Sequence, residues 1–190
     1  MNIDFGEVIR WLWICVGIFW LAGWLGAKPS ARTQATGLRA LQMLFEVAAF
    51  YLLLYKRWLP PFLRIRVLPD AVTTGWVGVA LVAAGAGLAI WARLSLGTNW
   101  SARVTIKQQH ELIRTGPYAM VRHPIYSGLL LMVLGTAVEI GQVRGFVALA
   151  LAFTGWFWKS RTEDAFMEEH FGVEYLQYKR QVKGLIPRIF

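Results

Sequence analysis

Apolar residues fall into five blocks along the chain, and the intervals between them hold nearly all of the charge. The first block, Val8–Ala27, carries Trp11, Trp13, Trp20 and Trp24 and stops at Lys28-Pro29-Ser30. Proline cannot extend a helix there, and lysine can reach lipid headgroups. The second block, Leu38–Tyr55, contains one acid, Glu46, and closes at Lys56-Arg57-Trp58 ahead of Pro60-Pro61. The third, Val72–Ala92, is built on Gly75, Gly78, Gly85 and Gly87 with Ala83, Ala84, Ala86 and Ala89. Small residues at spacings of three and four let membrane helices approach closely. Each of these blocks is near the ~20 residues that cross a hydrocarbon core, so each predicts a membrane helix.

Two shorter blocks follow, Ile125–Ile140 and Gly145–Trp158, divided by Gly141-Gln-Val-Arg144. At ~1.5 Å per residue the first of them reaches only about 24 Å against a ~30 Å core, which predicts a tight hairpin or a re-entrant pair. Beyond Trp158 the material changes. Lys159, Arg161, Glu163, Asp164, Glu168, Glu169, Glu174, Lys179, Arg180 and Lys183 alternate with Phe166, Phe171, Tyr175 and Tyr178 near helical spacing. This predicts an amphipathic helix that leaves the membrane and folds back, with Gly172 and Pro187 as breaks.

The fold class expected is therefore all-α, a single membrane domain over 1–190 with about five transmembrane helices and a C-terminal amphipathic helix. Residues 1–95 supply three helices; residues 96–190 supply a loop, a helical hairpin and the tail. Composition agrees with it. Hydrophobic residues are 56% of the chain and charged residues 16%, against ~25% charged in a soluble domain. The net charge of +9 does not point to nucleic acid, because the basic residues are spread between apolar blocks. Fourteen of the twenty lysines and arginines fall on the side that holds the first connector, the loop before Ile125 and the tail, which predicts a cytoplasmic face. The four basic residues between Lys56 and Asp70 lie opposite. The acidic start at Asp4 and Glu7, with the length of the first block, predicts a first membrane helix rather than a secretory signal. One cysteine, Cys15, excludes an internal disulfide, and His110, His123 and His170 show no metal-ligand spacing, so no metal is expected. Glu46 is expensive in a bilayer and must face a polar partner or a substrate channel.

One stretch does not fit the lipid-like sequence around it. Leu112–Gly128 reads LIRTGPYAMVRHPIYSG, and Pro117 and Pro124 make it a shaped loop rather than a continuous helix. With His110-Glu111 before it, and Glu163-Asp164 and His170-Phe-Gly-Val-Glu-Tyr-Leu-Gln-Tyr178 after it, the chain from about Leu96 to Pro187 resembles the integral-membrane methyltransferases. Within them it is most similar to isoprenylcysteine carboxyl methyltransferase, with the phospholipid N-methyltransferases as relatives.

The resemblance implies S-adenosylmethionine as methyl donor and a lipophilic small-molecule acceptor that arrives from the membrane lipids. Such a transfer is an in-line displacement needing alignment and exclusion of water, without a metal or a protein nucleophile. Trp100, Leu112, Tyr118 and Tyr126 are candidates for the walls of the donor site, His123 and Pro124 for its loop, and Glu163 for the acceptor of its hydroxyl or amino groups. Arg122, Lys159, Arg161 and Asp164 are the catalytic candidates. The relatives carry an arginine one turn before a Glu-Glu pair, near the substrate carboxylate; here Lys159 and Glu163-Asp164 stand there. The resemblance also raises Gly85-Ala-Gly87 as a cofactor contact, against plain helix packing. Phospholipid or amine N-methylation, an NADPH-dependent membrane reductase, and a scaffold or transporter are the competing functions.

Overall fold

The computed structural model describes residues 3–24, 30–33, 36–55, 57–97, 105–107, 112–187 and 189. Among these the regular structure is helical apart from one small ribbon and an isolated bridge between Arg66 and Gln142. The helices are α1 (Phe5–Trp24), α2 (Thr36–Leu54), α3 (Val72–Leu96), α4 (Pro124–Ile140), α5 (Val143–Phe171) and α6 (Val173–Gln181), with short 3-10 turns at Pro61–Arg64 and Gly116–Ala119. The ribbon pairs β1 (Ser30–Thr33) antiparallel with β2 (Thr105–Lys107), setting Arg32 opposite Ile106. It lies in two segments read from sequence as polar connectors. Three or four residues of alternation are too few to signal a strand on their own.

Helices α3 and α4 run antiparallel and almost touch through glycine. A Cβ added at Gly85 would stand 2.5 Å from the Gly128 carbonyl oxygen, and one added at Gly135 would stand 2.6 Å from that of Gly78. Each helix thus presents two glycines two turns apart, 78 and 85 against 135 and 128. Met132, Val82 and Ala89 seal the seam as fully buried side chains. A Cβ at Gly87, by contrast, would meet nothing within 4 Å. Gly85 is therefore explained by helix packing, and Gly87 lies on the open side of α3.

Helix α1 lies parallel to α3, with Phe5 edge-on to Trp76 at one end and Arg93 Nη2 donating to the Gly23 carbonyl at the other (3.1 Å). Helix α5 returns antiparallel to α4, its Gly145 against Ala137, and α2 lies antiparallel to α5. At the far end Arg144 Nη1 donates to the carbonyls of Leu52 (2.6 Å) and Leu53 (2.9 Å), closing the C-terminus of α2 with a cation. There the connector meets the α4–α5 turn, through Val67 N to Gly141 O at 2.7 Å and Val143 N to Ile65 O at 3.0 Å.

Outside this core the surface is apolar. Ile18, Leu21, Leu44, Val47, Leu54, Trp76 and Leu94 all project outward, far more large apolar surface than a soluble domain exposes. Two helical stretches, Phe5–Gly23 and Val72–Leu96, are long and apolar enough to cross a membrane, and Pro124–Ile140 is a shorter one. These mark a membrane-associated protein.

Two boundaries differ from those read in the sequence. Pro124 begins α4 rather than ending a loop, since its fixed φ and absent N–H suit the first helical turn. The change of composition at Lys159 is not a break: α5 runs unbroken to Phe171, and the chain turns at Gly172 with φ 54°. Charged residues of high helix propensity continue a helix as readily as leucine does.

Candidate active site between the proline loop and helix α5

The loop from Leu112 to His123 is short of internal bonds, so its shape is fixed from outside. Gly116 takes φ 60°, a conformation that favours glycine, and Pro117 is the second residue of the 3-10 turn that begins there. The segment after α6 then pins the end of the loop. Arg122 N donates to Lys183 O (2.7 Å), His123 N to Gly184 O (3.0 Å), and Ser127 Oγ to Leu185 O (2.5 Å). From α6 itself, Tyr178 donates its hydroxyl to Tyr118 O at 2.6 Å.

Asp164, buried on α5, is the hub. Its Oδ2 accepts from Arg122 Nη2 (2.8 Å), and its Oδ1 accepts from His123 Nε2 (2.8 Å), Tyr175 OH (2.6 Å) and Arg122 Nε (3.3 Å). The remaining Arg122 nitrogen, Nη1, donates to Val182 O at 2.5 Å. Arg122 and Asp164 are thus occupied with each other and with the tail, and their polar atoms are committed within the fold. Burial opposes the charge on Asp164, but bonds from His123 and Arg122 outweigh it and hold the carboxyl well below the usual carboxylate range. Burial pushes the Tyr175 phenol up, and neighbouring Asp164 pushes it further, so it stays a donor. Tyr178 is pushed up to about 12, chiefly by burial.

The His123 ring is clamped between two carboxylates, with Nε2 on Asp164 and Nδ1 3.2 Å from Glu163 Oε2. A neutral imidazole has one donor and one acceptor; only the imidazolium donates at both nitrogens. Burial would lower its pKa, yet the bonds to Asp164 and Glu163 prevail and raise it. Glu163 has a second partner in Tyr126, whose hydroxyl donates to Oε1 at 2.5 Å. The Tyr126 and His123 rings lie nearly parallel, 5.8 Å apart with 17° between planes. Unlike Asp164, the Glu163 side chain is 26% exposed, and among the described residues each oxygen has one partner. It is the carboxylate that can still accept.

The candidates from sequence therefore separate. His123, Tyr126 and Glu163 come together, with Arg122 and Asp164 directly behind them. Pro124 is buried as the first residue of α4, Tyr118 is buried in the 3-10 turn, and Leu112 is half-buried at the loop's start. Lys159 sits one turn before Glu163 on the same face of α5, its Nζ 5.4 Å above the Tyr126 ring. Arg161 is exposed, about 200° round the helix from Glu163. Trp100 lies outside the described residues. Tyr175 and Tyr178, which the sequence shows only as part of the tail's amphipathic pattern, contribute hydroxyls to Asp164 and to the Tyr118 carbonyl; two tyrosines three apart on the apolar face of a short helix are the signal that pointed there.

The family description "phospholipid methyltransferase" matches residues 73–174, more than half of the chain and all of α4, α5 and the loop between α3 and α4. The chain belongs to this family. Among curated proteins it is similar to a probable protein-S-isoprenylcysteine O-methyltransferase of Oryza sativa, 32% identical over 117 residues, which cover 60% of this chain and 61% of that protein. It is similar to the protein-S-isoprenylcysteine O-methyltransferase of Homo sapiens, 31% identical over 140 residues, 70% of this chain and 49% of the relative. A third relative, the cobalt-zinc-cadmium resistance protein CzcN of Cupriavidus metallidurans, is 31% identical over 124 residues, 65% of this chain and 52% of that protein. The chain spans between about half and three fifths of the length of these relatives.

Proposed function

We propose that the chain is a multi-pass membrane methyltransferase that uses S-adenosylmethionine to methylate a lipid-borne acceptor, in a reaction most like isoprenylcysteine carboxyl O-methylation. The observation that carries this reading is Glu163: a carboxylate set by Tyr126 and His123 at the end of an apolar helix pair, still able to accept, in a chain of a methyltransferase family. When bound, the donor supplies an electrophilic methyl on a sulfonium. The residues present suit such a cation. Tyr126 already bears the Lys159 ammonium over its ring, the parallel His123 ring extends the flat wall, and Glu163 offers free lone pairs to hydroxyl or amino groups. Arg122, Asp164 and Tyr175 hold that wall from behind. Alignment and exclusion of water then account for the rate, since the displacement asks no bond-making from the protein.

The proposed topology has five crossings. The connector and the α4–α5 turn meet at one end of the bundle, and the proline loop meets the tail at the other, as an odd number of spans requires when the two termini lie at opposite ends. The excess of basic residues on the site's side makes that side cytoplasmic, where a soluble donor is available. A lipid acceptor would enter sideways, drawing up to ~0.8 kcal/mol per methylene removed from water. Amine N-methylation is the second reading, favoured by the matched family description and by Lys159: a point charge does not reproduce an arginine fork on a carboxylate.

The test is a melt of the detergent-purified protein with S-adenosylhomocysteine or with NADPH. Stabilisation by S-adenosylhomocysteine is expected; stabilisation by NADPH alone would replace the reading with a reductase, and by neither with a scaffold or transporter.

A further inference from the structure

Glu46 is the single acid of the second apolar block, and the structure gives it a place in the site. Its side chain lies along α5 at Gly155, where an added Cβ would stand 3.7 Å from Glu46 Cγ and 3.1 Å from Phe45 Cβ. The glycine lets α2 come close enough for the carboxylate to reach the next turn, where Lys159 Nζ is 3.8 Å from Glu46 Oε1. Gly155, Lys159 and Glu163 follow at intervals of four and share one face of α5. Lys159 therefore faces Glu46 on one side and the Tyr126 ring on the other, with Tyr126 bonded onward to Glu163. At 3.8 Å the ion pair is longer than a hydrogen bond, and both side chains keep some exposure, 21% for Lys159 and 25% for Glu46. Arg122 and Asp164, in contrast, are closed on each other at 2.8 Å with almost no exposure. Of these two pairs, the Glu46–Lys159 pair is the one that can open.

We infer that Glu46 is a displaceable counter-ion that sets acceptor specificity. It neutralises Lys159 in the ligand-free protein and yields it to an acidic group on the lipid acceptor, so that a carboxylate-bearing acceptor must compete with Glu46 and a neutral one gains nothing from the lysine. This rests on the proposed methyl transfer and adds to it that the acceptor meets the site beside Lys159. Where the acceptor is a carboxylate, its oxygen lone pair forms the new bond to the methyl carbon. The carbon–sulfur bond breaks with its electron pair going to sulfur, leaving a methyl ester and a neutral thioether with no proton to move. Lys159 acts by position: it holds one carboxylate oxygen while the other attacks.

Binding of an S-prenylated N-acetylcysteine and of its carboxamide, which lacks only the charge, tests this on the full chain in detergent. Glu46→Gln should tighten the acid about threefold to fivefold while leaving the carboxamide unchanged, the scale of a partly exposed ion pair. Lys159→Met should weaken the acid by a similar factor and leave the carboxamide alone. Glu46→Asp, which retracts the carboxylate by one methylene, should fall between wild type and Glu46→Gln and covers the case in which the glutamine variant does not fold. Equal shifts for acid and carboxamide, or no gain for the acid in either Glu46 variant, would overturn the inference. The S-adenosylhomocysteine melt reports on the donor site separately, so its failure would refute methyl transfer and leave this outcome readable.

Discussion

Replacing Asp164 by asparagine keeps the volume of the hub and removes its charge. In the wild type the carboxylate faces the Arg122 guanidinium at 2.8 Å and the His123 ring at 2.8 Å, with side-chain exposures of 3–7%. Removing one partner of a buried pair costs ~3–5 kcal/mol, because the remaining charge is left without compensation. Asparagine still accepts through one oxygen, so we take the lower end, about 3 kcal/mol. For a chain of this size ~2–4 °C accompany each kcal/mol, which sets the expected loss at roughly 6–12 °C. The assay is tryptophan fluorescence against temperature in detergent, repeated across pH.

The pH dependence carries the sign. Asp164 is depressed in the folded state, so its contribution is complete above its unfolded value of ~3.9 and is lost as pH falls below that. His123 is raised in the folded state, so its contribution is complete below its unfolded value of ~6.5 and is lost as pH rises through its folded value. The wild type should thus be most stable between these limits and weaken on the alkaline side. Asp164→Asn removes a main cause of the raised histidine, so the alkaline loss should be smaller and complete at lower pH. A melting temperature within about 2 °C of wild type, or an alkaline limb that does not move, would refute the charge network described for this hub.

Other outcomes follow from the same structure. Gly85→Val should lower the melting temperature by the equivalent of ~1–3 kcal/mol or more, because its Cβ has a carbonyl oxygen 2.5 Å away. Gly87→Ala, on the open side of the same helix, should be neutral or stabilise by up to ~1 kcal/mol in the same melt. Tyr126→Phe should weaken S-adenosylhomocysteine at least fivefold by titration, since the hydroxyl that orients Glu163 contributes ~1.5–3 kcal/mol to a charged acceptor. Arg144→Met, at the far end of the bundle, should destabilise by ~1–3 kcal/mol through the freed carbonyls of Leu52 and Leu53 and leave donor affinity unchanged.

The sequence made the apolar blocks and the proline loop legible because both are local patterns: hydrophobic runs of spanning length, and prolines whose backbone restrictions need no context. It also singled out Tyr126, His123 and Glu163, which lie bonded together across 37 and 40 residues. What it could not show was direction. Arg122 and Asp164 read as groups that meet substrate, yet they turn inward to each other, because the fold that brings α6 and residues 182–185 over the loop supplies carbonyls and Tyr175 as partners. Lone charges at a membrane end look the same in sequence whether they point to a ligand or to a neighbouring helix. Glu46 was ambiguous for the same reason, its partner lying 113 residues away on α5.

Calorimetric titration of S-adenosylhomocysteine into wild type, Glu163→Gln and Cys15→Ser addresses the donor site directly. Saturable binding to wild type is expected, with equal binding to Cys15→Ser, whose side chain lies exposed on α1, and at least tenfold weaker binding to Glu163→Gln. Binding to Glu163→Gln with wild-type affinity would contradict this placement of the donor site.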